Sequence, residues 1–196
     1  AARFAYLDGS LDHTEQSVGA ERMFAAMAAQ AFYEDRVRRL LDMNLHFLPS
    51  GSPLARNVRL AIDSFDAGMS LFEARERLTL LGGHPEACDI LMNVPIVVLA
   101  LLYGQGDLEA TLLAALRCGY DTDCTMATAC AFVGQILGAR ALPGDFKAAI
   151  GDRLVMGIQY RRPEMTLSAL ARDTARIGVL MNEGTPGSIA DRPTLA

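Results

Sequence analysis

The stretch Cys118-Gly119-Tyr120-Asp121-Thr122-Asp123-Cys124-Thr125 sets two carboxylates two residues apart. It leads into Met126–Gly138, which carries no charged side chain. Residues two apart do not stack on a helix face, because stacking needs spacings of three or four. In a turn or a first helical turn, however, Asp121 and Asp123 converge on one point, with a hydroxyl or backbone carbonyl between them. Carboxylate and carbonyl oxygens suit hard cations such as Mg²⁺, Mn²⁺ or Ca²⁺. The same residues also read as a helix opening, since Asp and Thr are favoured N-caps and acids in the first turn suit the helix dipole. Two like charges about 4 Å apart repel by roughly 4 kcal/mol at an effective dielectric near 20. Beside so apolar a helix that repulsion asks for a cation, or for one protonated acid. On residue chemistry alone both accounts stay open.

The elements that position this stretch read as helices throughout. At 196 residues with 51% apolar side chains, few aromatics and no Trp, the chain favours packed helices over sheet. The expected organisation is one all-helical domain over 1–183, followed by a frayed tail over 184–196. Ala1–Leu7 reads as the tail of a helix, broken by Gly9, Ser10 and Asp12. Thr14 is placed to cap the next helix, with Ser17 where a capping-box acid would sit. Val18, Met23, Phe24, Met27 and Ala31 then give it a wide apolar face as far as Tyr33.

A further helix is expected over Asp35–Phe47. Ser52-Pro53 starts another, running to Asp66, and Ser70 with Glu73 forms a capping box for one ending at Leu81. Gly82-Gly83-His84-Pro85 reads as a surface loop. Asn93-Val94-Pro95 is expected to enter the most hydrophobic helix, ended by Gly104, and Asp107 to cap the short one that delivers the chain to Asp121. Ala127, Ala131, Gly134 and Gly138 put small side chains at spacings that allow a close helix crossing. Beyond Pro143-Gly144 come a short helix, a loop over 157–163 holding Arg161-Arg162, and an amphipathic helix from Leu167 to Met181. No internal repeat and no strand pattern is evident.

A net charge of −5 gives no general pull toward nucleic acid or an anionic membrane. No apolar run is long enough to span a bilayer. Cys88, Cys118, Cys124 and Cys130 form no C-x-x-C pair, and the chain start carries no secretion signal. Together these point to reduced thiols and a cytoplasmic setting.

Gly119 through Thr125, followed by a small-residue helix ending in Gly-Gln-Ile-Leu-Gly and Pro143, resembles the C-terminal metal motif of the ADP-ribosylglycohydrolase family. That motif more commonly reads Gly-Gly-Asp-Thr-Asp-Thr. Asn93-Val94-Pro95 leading to Leu101-Leu102-Tyr103-Gly104-Gln105-Gly106-Asp107 resembles the family's preceding helix pair. Asp8 through His13, followed by Val18, Glu21-Arg22-Met23-Phe24 and Ala25-Ala26-Met27, is similar near the chain start. The likeness covers roughly residues 1–150.

It implies an all-α, orthogonal multi-helix bundle and a divalent-metal-dependent glycohydrolase that cleaves ADP-ribose from a protein side chain or small acceptor. The cofactor would be Mg²⁺ or Mn²⁺, two ions in the complete site, with Asp121 and Asp123 as ligands. Cys124 stands where the commoner motif has a metal-binding Thr, and a thiol is a poor Mg²⁺ ligand. Thr125, one residue later, or a water is the expected substitute. Gly119 and Tyr120 join His13 and Glu21 as substrate-binding candidates. On its own chemistry His13 reads as an exposed structural group, and Glu21 as the partner of a nearby Arg. The family resemblance places His13 at the ADP-ribose pocket instead. No residue is assigned as a catalytic acid or base. The family's first acidic motif, a Thr-Asp-Asp-Thr-like stretch, has no match, nor has its glycine-rich opening. The chain therefore reads as the C-terminal portion of the domain, with an N-terminal segment or chain completing the site. The alternative is a non-catalytic relative that binds ADP-ribose or a nucleotide, or serves a structural role.

Overall fold

Four helix starts rest on side chains that accept a backbone amide two or three residues on. Ser52 accepts from Ala55 at 3.1 Å, Asp89 from Leu91 at 2.7 Å and Asp107 from Ala110 at 2.7 Å. Ser70 and Glu73 bond reciprocally, at 2.7 and 3.3 Å. Each satisfies amides that the first helical turn leaves without partners. The computed structural model describes residues 1–155 and 164–182. The Arg161-Arg162 loop and the 184–196 tail lie outside the described residues.

In chain order the helices are α1 (Ala2–Gly9), α2 (Glu15–Gln30), α3 (Val37–Asn44), α4 (Pro53–Asp66), α5 (Leu71–Gly82), α6 (Ile90–Gly104), α7 (Leu108–Cys118), α8 (Thr122–Leu137), α9 (Gly144–Ile150) and α10 (Leu167–Asn182). A single 3-10 turn, Leu45–Phe47, follows α3, so the helix expected over Asp35–Phe47 is shorter and tightens at its end. Among the described residues there is no strand, only an isolated bridge between Arg153 and Thr166. Among the described residues no helix is long and apolar enough to cross a membrane. The chain forms two compact units, Ala1–Leu142 and Pro143–Ala196. In the second, the Asp152 carboxylate accepts from the Ser168 amide at 2.8 Å and its hydroxyl at 2.7 Å, at the start of α10.

The first unit is built around α6. Eleven of its fifteen residues are buried, and α3, α4, α5, α7 and α8 all pack on it. The helix starts at Ile90, ahead of Asn93-Val94-Pro95, so Pro95 lies inside it. A proline there has no N–H for the carbonyl four residues back. That carbonyl, Leu91 O, instead accepts from Asn57 Nδ2 of α4 at 2.8 Å. The same nitrogen donates to Gly82 O at 2.9 Å.

At the other end, a Cβ on Gly104 would stand 1.9 Å from Thr111 Oγ1 and 2.7 Å from Thr111 Cα. Only glycine lets α7 turn back this tightly on α6. That hairpin carries the chain to Gly119 and the aspartates.

The expected small-residue crossing of α8 does not form. Ala127 and Ala131 are exposed, and the buried residues of the helix are Thr125, Ala129, Phe132 and Val133. Small side chains permit a close approach but do not supply the neighbour. Thr14 takes the N-cap position of α2 in extended conformation without a capping bond.

Candidate functional site

Between α7 and α8 the backbone turns through two left-handed residues, Gly119 (φ 74) and Tyr120 (φ 61). For glycine this costs nothing, whereas for a tyrosine it is uncommon and must be held by its surroundings. Three contacts hold it. Arg75 Nε of α5 donates to the Cys118 carbonyl at 3.1 Å. The Tyr120 hydroxyl donates to the His84 carbonyl at 3.3 Å, and the Asp121 amide donates to Asn93 Oδ1 at 3.2 Å. Asn93 is fixed in turn, since its Nδ2 donates to Ala87 O at 2.7 Å and Asp89 O at 3.0 Å.

Asp121 therefore arrives at the N-cap of α8 with its amide held, while its side chain makes no capping bond. A carboxylate oxygen of Asp121, one of Asp123 and the Sγ of Cys124 all lie within 4.8 Å of one another. Neither carboxylate forms an ion pair with a basic side chain among the described residues. The Asp123 carboxyl is held below the ordinary carboxylate range, first by an Asp121 carboxyl close enough to share a proton with it, then by its own amide and that of Cys124. The hydrogen bond to Asp121, and then the charge of that carboxylate, push the Cys124 thiol upward.

Asp121 is half-buried, and Asp123 and Cys124 are exposed. The mouth is consequently wetter than the apolar run behind it implies. Water screens the repulsion between the acids, so burial does not by itself demand a cation.

The other sequence candidates are distributed around the first unit. Thr125 is 1% exposed, with its hydroxyl donating to the Thr122 carbonyl at 3.4 Å and its amide to the Asp121 carbonyl at 3.0 Å. His13 lies in the turn between α1 and α2, exposed, with Nδ1 2.6 Å from Asp12 Oδ1. Glu21 packs its carboxylate against Gly9 and lines an open groove of about 1160 Å³. Residues of α1, α2 and α8 form this groove, including Phe4, Phe24, Ala127, Ala131 and Gln135. The Gln135 amide donates to the Ala28 carbonyl at 2.7 Å, tying α8 to α2 across its floor.

Sequence reasoning did not single out Asn93 as the holder of Asp121, nor this groove. An Asn three residues into the apolar run was the available signal for the first. The uncharged small residues of α8 were the signal for the second.

A family model described as ADP-ribosylglycohydrolase matches residues 1–179 of the chain. No curated protein and no solved structure matches it.

Proposed function

Because this chain belongs to the ADP-ribosylglycohydrolase family, we propose that it carries the C-terminal acidic half of a divalent-cation site serving hydrolysis of an ADP-ribose glycosidic bond. The observation that carries the reading is the convergence of Asp121, Asp123 and Cys124 within 4.8 Å in the first turn of α8. The donor set fits a hard cation, since two carboxylates with no basic partner among the described residues offer oxygen ligands. Asp121 and Asp123 would hold Mg²⁺ or Mn²⁺, and Thr125 or a water would fill the place of the motif's usual Thr. When bound, the ion supplies Lewis-acid polarisation and a template for sugar hydroxyls and water.

The chain's own part is positional. Asn93 fixes the Asp121 amide, and Tyr120 and Arg75 brace the left-handed turn. The Cys124 sulfur lies within 4.8 Å of a carboxylate oxygen of each acid. Gly119 leaves the backbone beside the acids open for a substrate to approach. In this reading Glu21 and His13 belong to substrate binding on the α1–α2 side, and the substrate is an ADP-ribosylated protein or a similar small molecule. The setting is cytoplasmic.

Calorimetric titration with Mg²⁺ tests the site. Wild type should bind, and Asp123→Ala should lose at least the roughly 10–100-fold that even outer-shell substitutions cost a metal site. Indistinguishable traces would remove the cation reading. Release of ADP-ribose from ADP-ribosyl arginine or serine peptides tests the reaction and names the acceptor. Cation binding without release would assign the chain to non-catalytic ADP-ribose binding.

A further inference from the structure

Helix α5 ends against an open cavity of about 330 Å³ lined by Thr79, Leu80, Leu81, His84, Pro85 and Tyr120. Tyr120 precedes Asp121 in the chain, so the cavity adjoins the acidic mouth. Its oxygen atoms are left as acceptors, for reasons local to this helix end. The last carbonyls of a helix have no intrahelical partner and carry the negative end of its dipole. Pro85 has no N–H to offer the Leu81 carbonyl four residues back. Neither that carbonyl nor that of Leu80 accepts a hydrogen bond among the described residues. Both hydroxyls have already given up their one hydrogen. Thr79 Oγ1 donates to the Arg75 carbonyl at 2.9 Å and the Tyr120 hydroxyl to the His84 carbonyl at 3.3 Å, so each presents lone pairs. Glu86 and Asp89 follow on the same segment, with Asp89 Oδ2 3.6 Å from His84 Nδ1. The Arg75 guanidinium stands 6.0 Å from the Tyr120 ring centroid, outside the lining, with its Nε on the Cys118 carbonyl.

We propose that this cavity binds a guanidinium side chain, and that it seats an arginine acceptor beside Asp121 and Asp123. The acceptor role rests on the glycohydrolase reading, whereas the binding itself does not. A guanidinium brings five N–H donors and a positive charge in one planar fork, which suits several separate oxygen acceptors at the negative end of a helix. An ammonium is a point charge and engages fewer of them. A phosphate or carboxylate would meet lone pairs and the same negative end, so the cavity is not a seat for an anionic group. The methylene stem of an arginine covers apolar surface, which Leu80, Leu81 and Pro85 add to the lining. The volume lies at the low end of ligand pockets and takes one side chain rather than a dinucleotide.

The test is titration of the isotope-labelled full chain with Nα-acetylarginine amide, read by backbone amide NMR shifts, against the uncharged isostere Nα-acetylcitrulline amide. Saturable shifts are expected at Leu81, His84 and Tyr120 with the arginine probe, and roughly tenfold weaker binding of the citrulline probe, which lacks the charge-assisted bonds. Thr79→Val keeps the shape of the side chain and removes one acceptor. Arginine affinity should then fall about tenfold, the worth of one hydrogen bond to a charged group, and Thr79→Ser should retain it. Three results would overturn the proposal: no saturable shift, equal binding of the two probes, or shifts confined to Asp121 through Cys124 and untouched by Thr79→Val, which would put the cation on the acid pair. Release of ADP-ribose from serine but not arginine peptides would overturn the acceptor assignment and leave the hydrolase reading standing. Arginine binding in the cavity with release from neither peptide would do the reverse.

Discussion

Helices α6 and α8 look alike in sequence, both free of charge beyond the first turn, and they end in different surroundings. Eleven of fifteen residues are buried in α6 and four of sixteen in α8. The difference lies in side-chain size. Val, Ile and Leu dominate α6 and need neighbours on every side, because each leaves a large apolar area in water if uncovered. Ala, Thr, Gly and Cys dominate α8, and exposing them costs little. One flank of α8 packs on α6 and α7, and the other borders the groove against α1 and α2. Absence of charge therefore marks a helix that tolerates burial, and bulk marks one that requires it.

The strongest way to break this contrast is to empty the centre of α6. Leu99 is 0% exposed, so Leu99→Ala should lose about 2–5 kcal/mol by denaturant unfolding. A loss below about 1 kcal/mol would mean that α6 is not the hub.

A second prediction sharpens the picture where α7 delivers the chain to α8. Burial pushes the Cys118 thiol up to about 11 from 9.0. Below pH 9 both the folded and unfolded states keep the proton, and stability is unaffected. As pH rises from 9 toward 11 the unfolded thiol ionises first, so stability falls, by up to roughly 2–3 kcal/mol. Cys118→Ala should flatten that part of the pH profile, and an unchanged slope would show that this thiol is not its source. The smallest effect is expected on the open flank of α8. Ala131 is exposed, so Ala131→Ser should stay within about 0.5 kcal/mol of wild type in the same unfolding assay. A larger loss would show that the flank is covered.

The caps at Ser52, Ser70 and Asp107 were legible in the sequence because an N-cap is local chemistry, settled within three residues. The start of α6 was not, since Pro95 argues for a helix beginning, and the group that tolerates it within the helix, Asn57, lies on α4. The all-helical class followed from composition and capping. The exposed face of α8 did not, because small residues at helical spacing read the same whether or not a partner covers them. At the site the convergence of Asp121 and Asp123 was legible from their spacing at a helix mouth. Its exposure to water was not, because the sequence does not tell how much of the mouth its neighbours cover. The role of Asn93 was hidden by its separation of 28 positions from Asp121. Cys124 was discounted as a ligand for Mg²⁺ on chemical grounds, and that chemistry left no sign that its sulfur would lie within 4.8 Å of both carboxylates.

Asn57 fastens both feet of the segment between α5 and α6, the Gly82 and Leu91 carbonyls, to one amide on α4. The segment is thus an eyelet whose closure is met by a rigid helix rather than by its own sequence, which removes most of the freedom an open loop of that length would keep. His84 and Ala87, the anchors for Tyr120 and Asn93, ride on that eyelet. The stiffness of the acidic mouth is therefore inherited from a residue far upstream that touches neither aspartate.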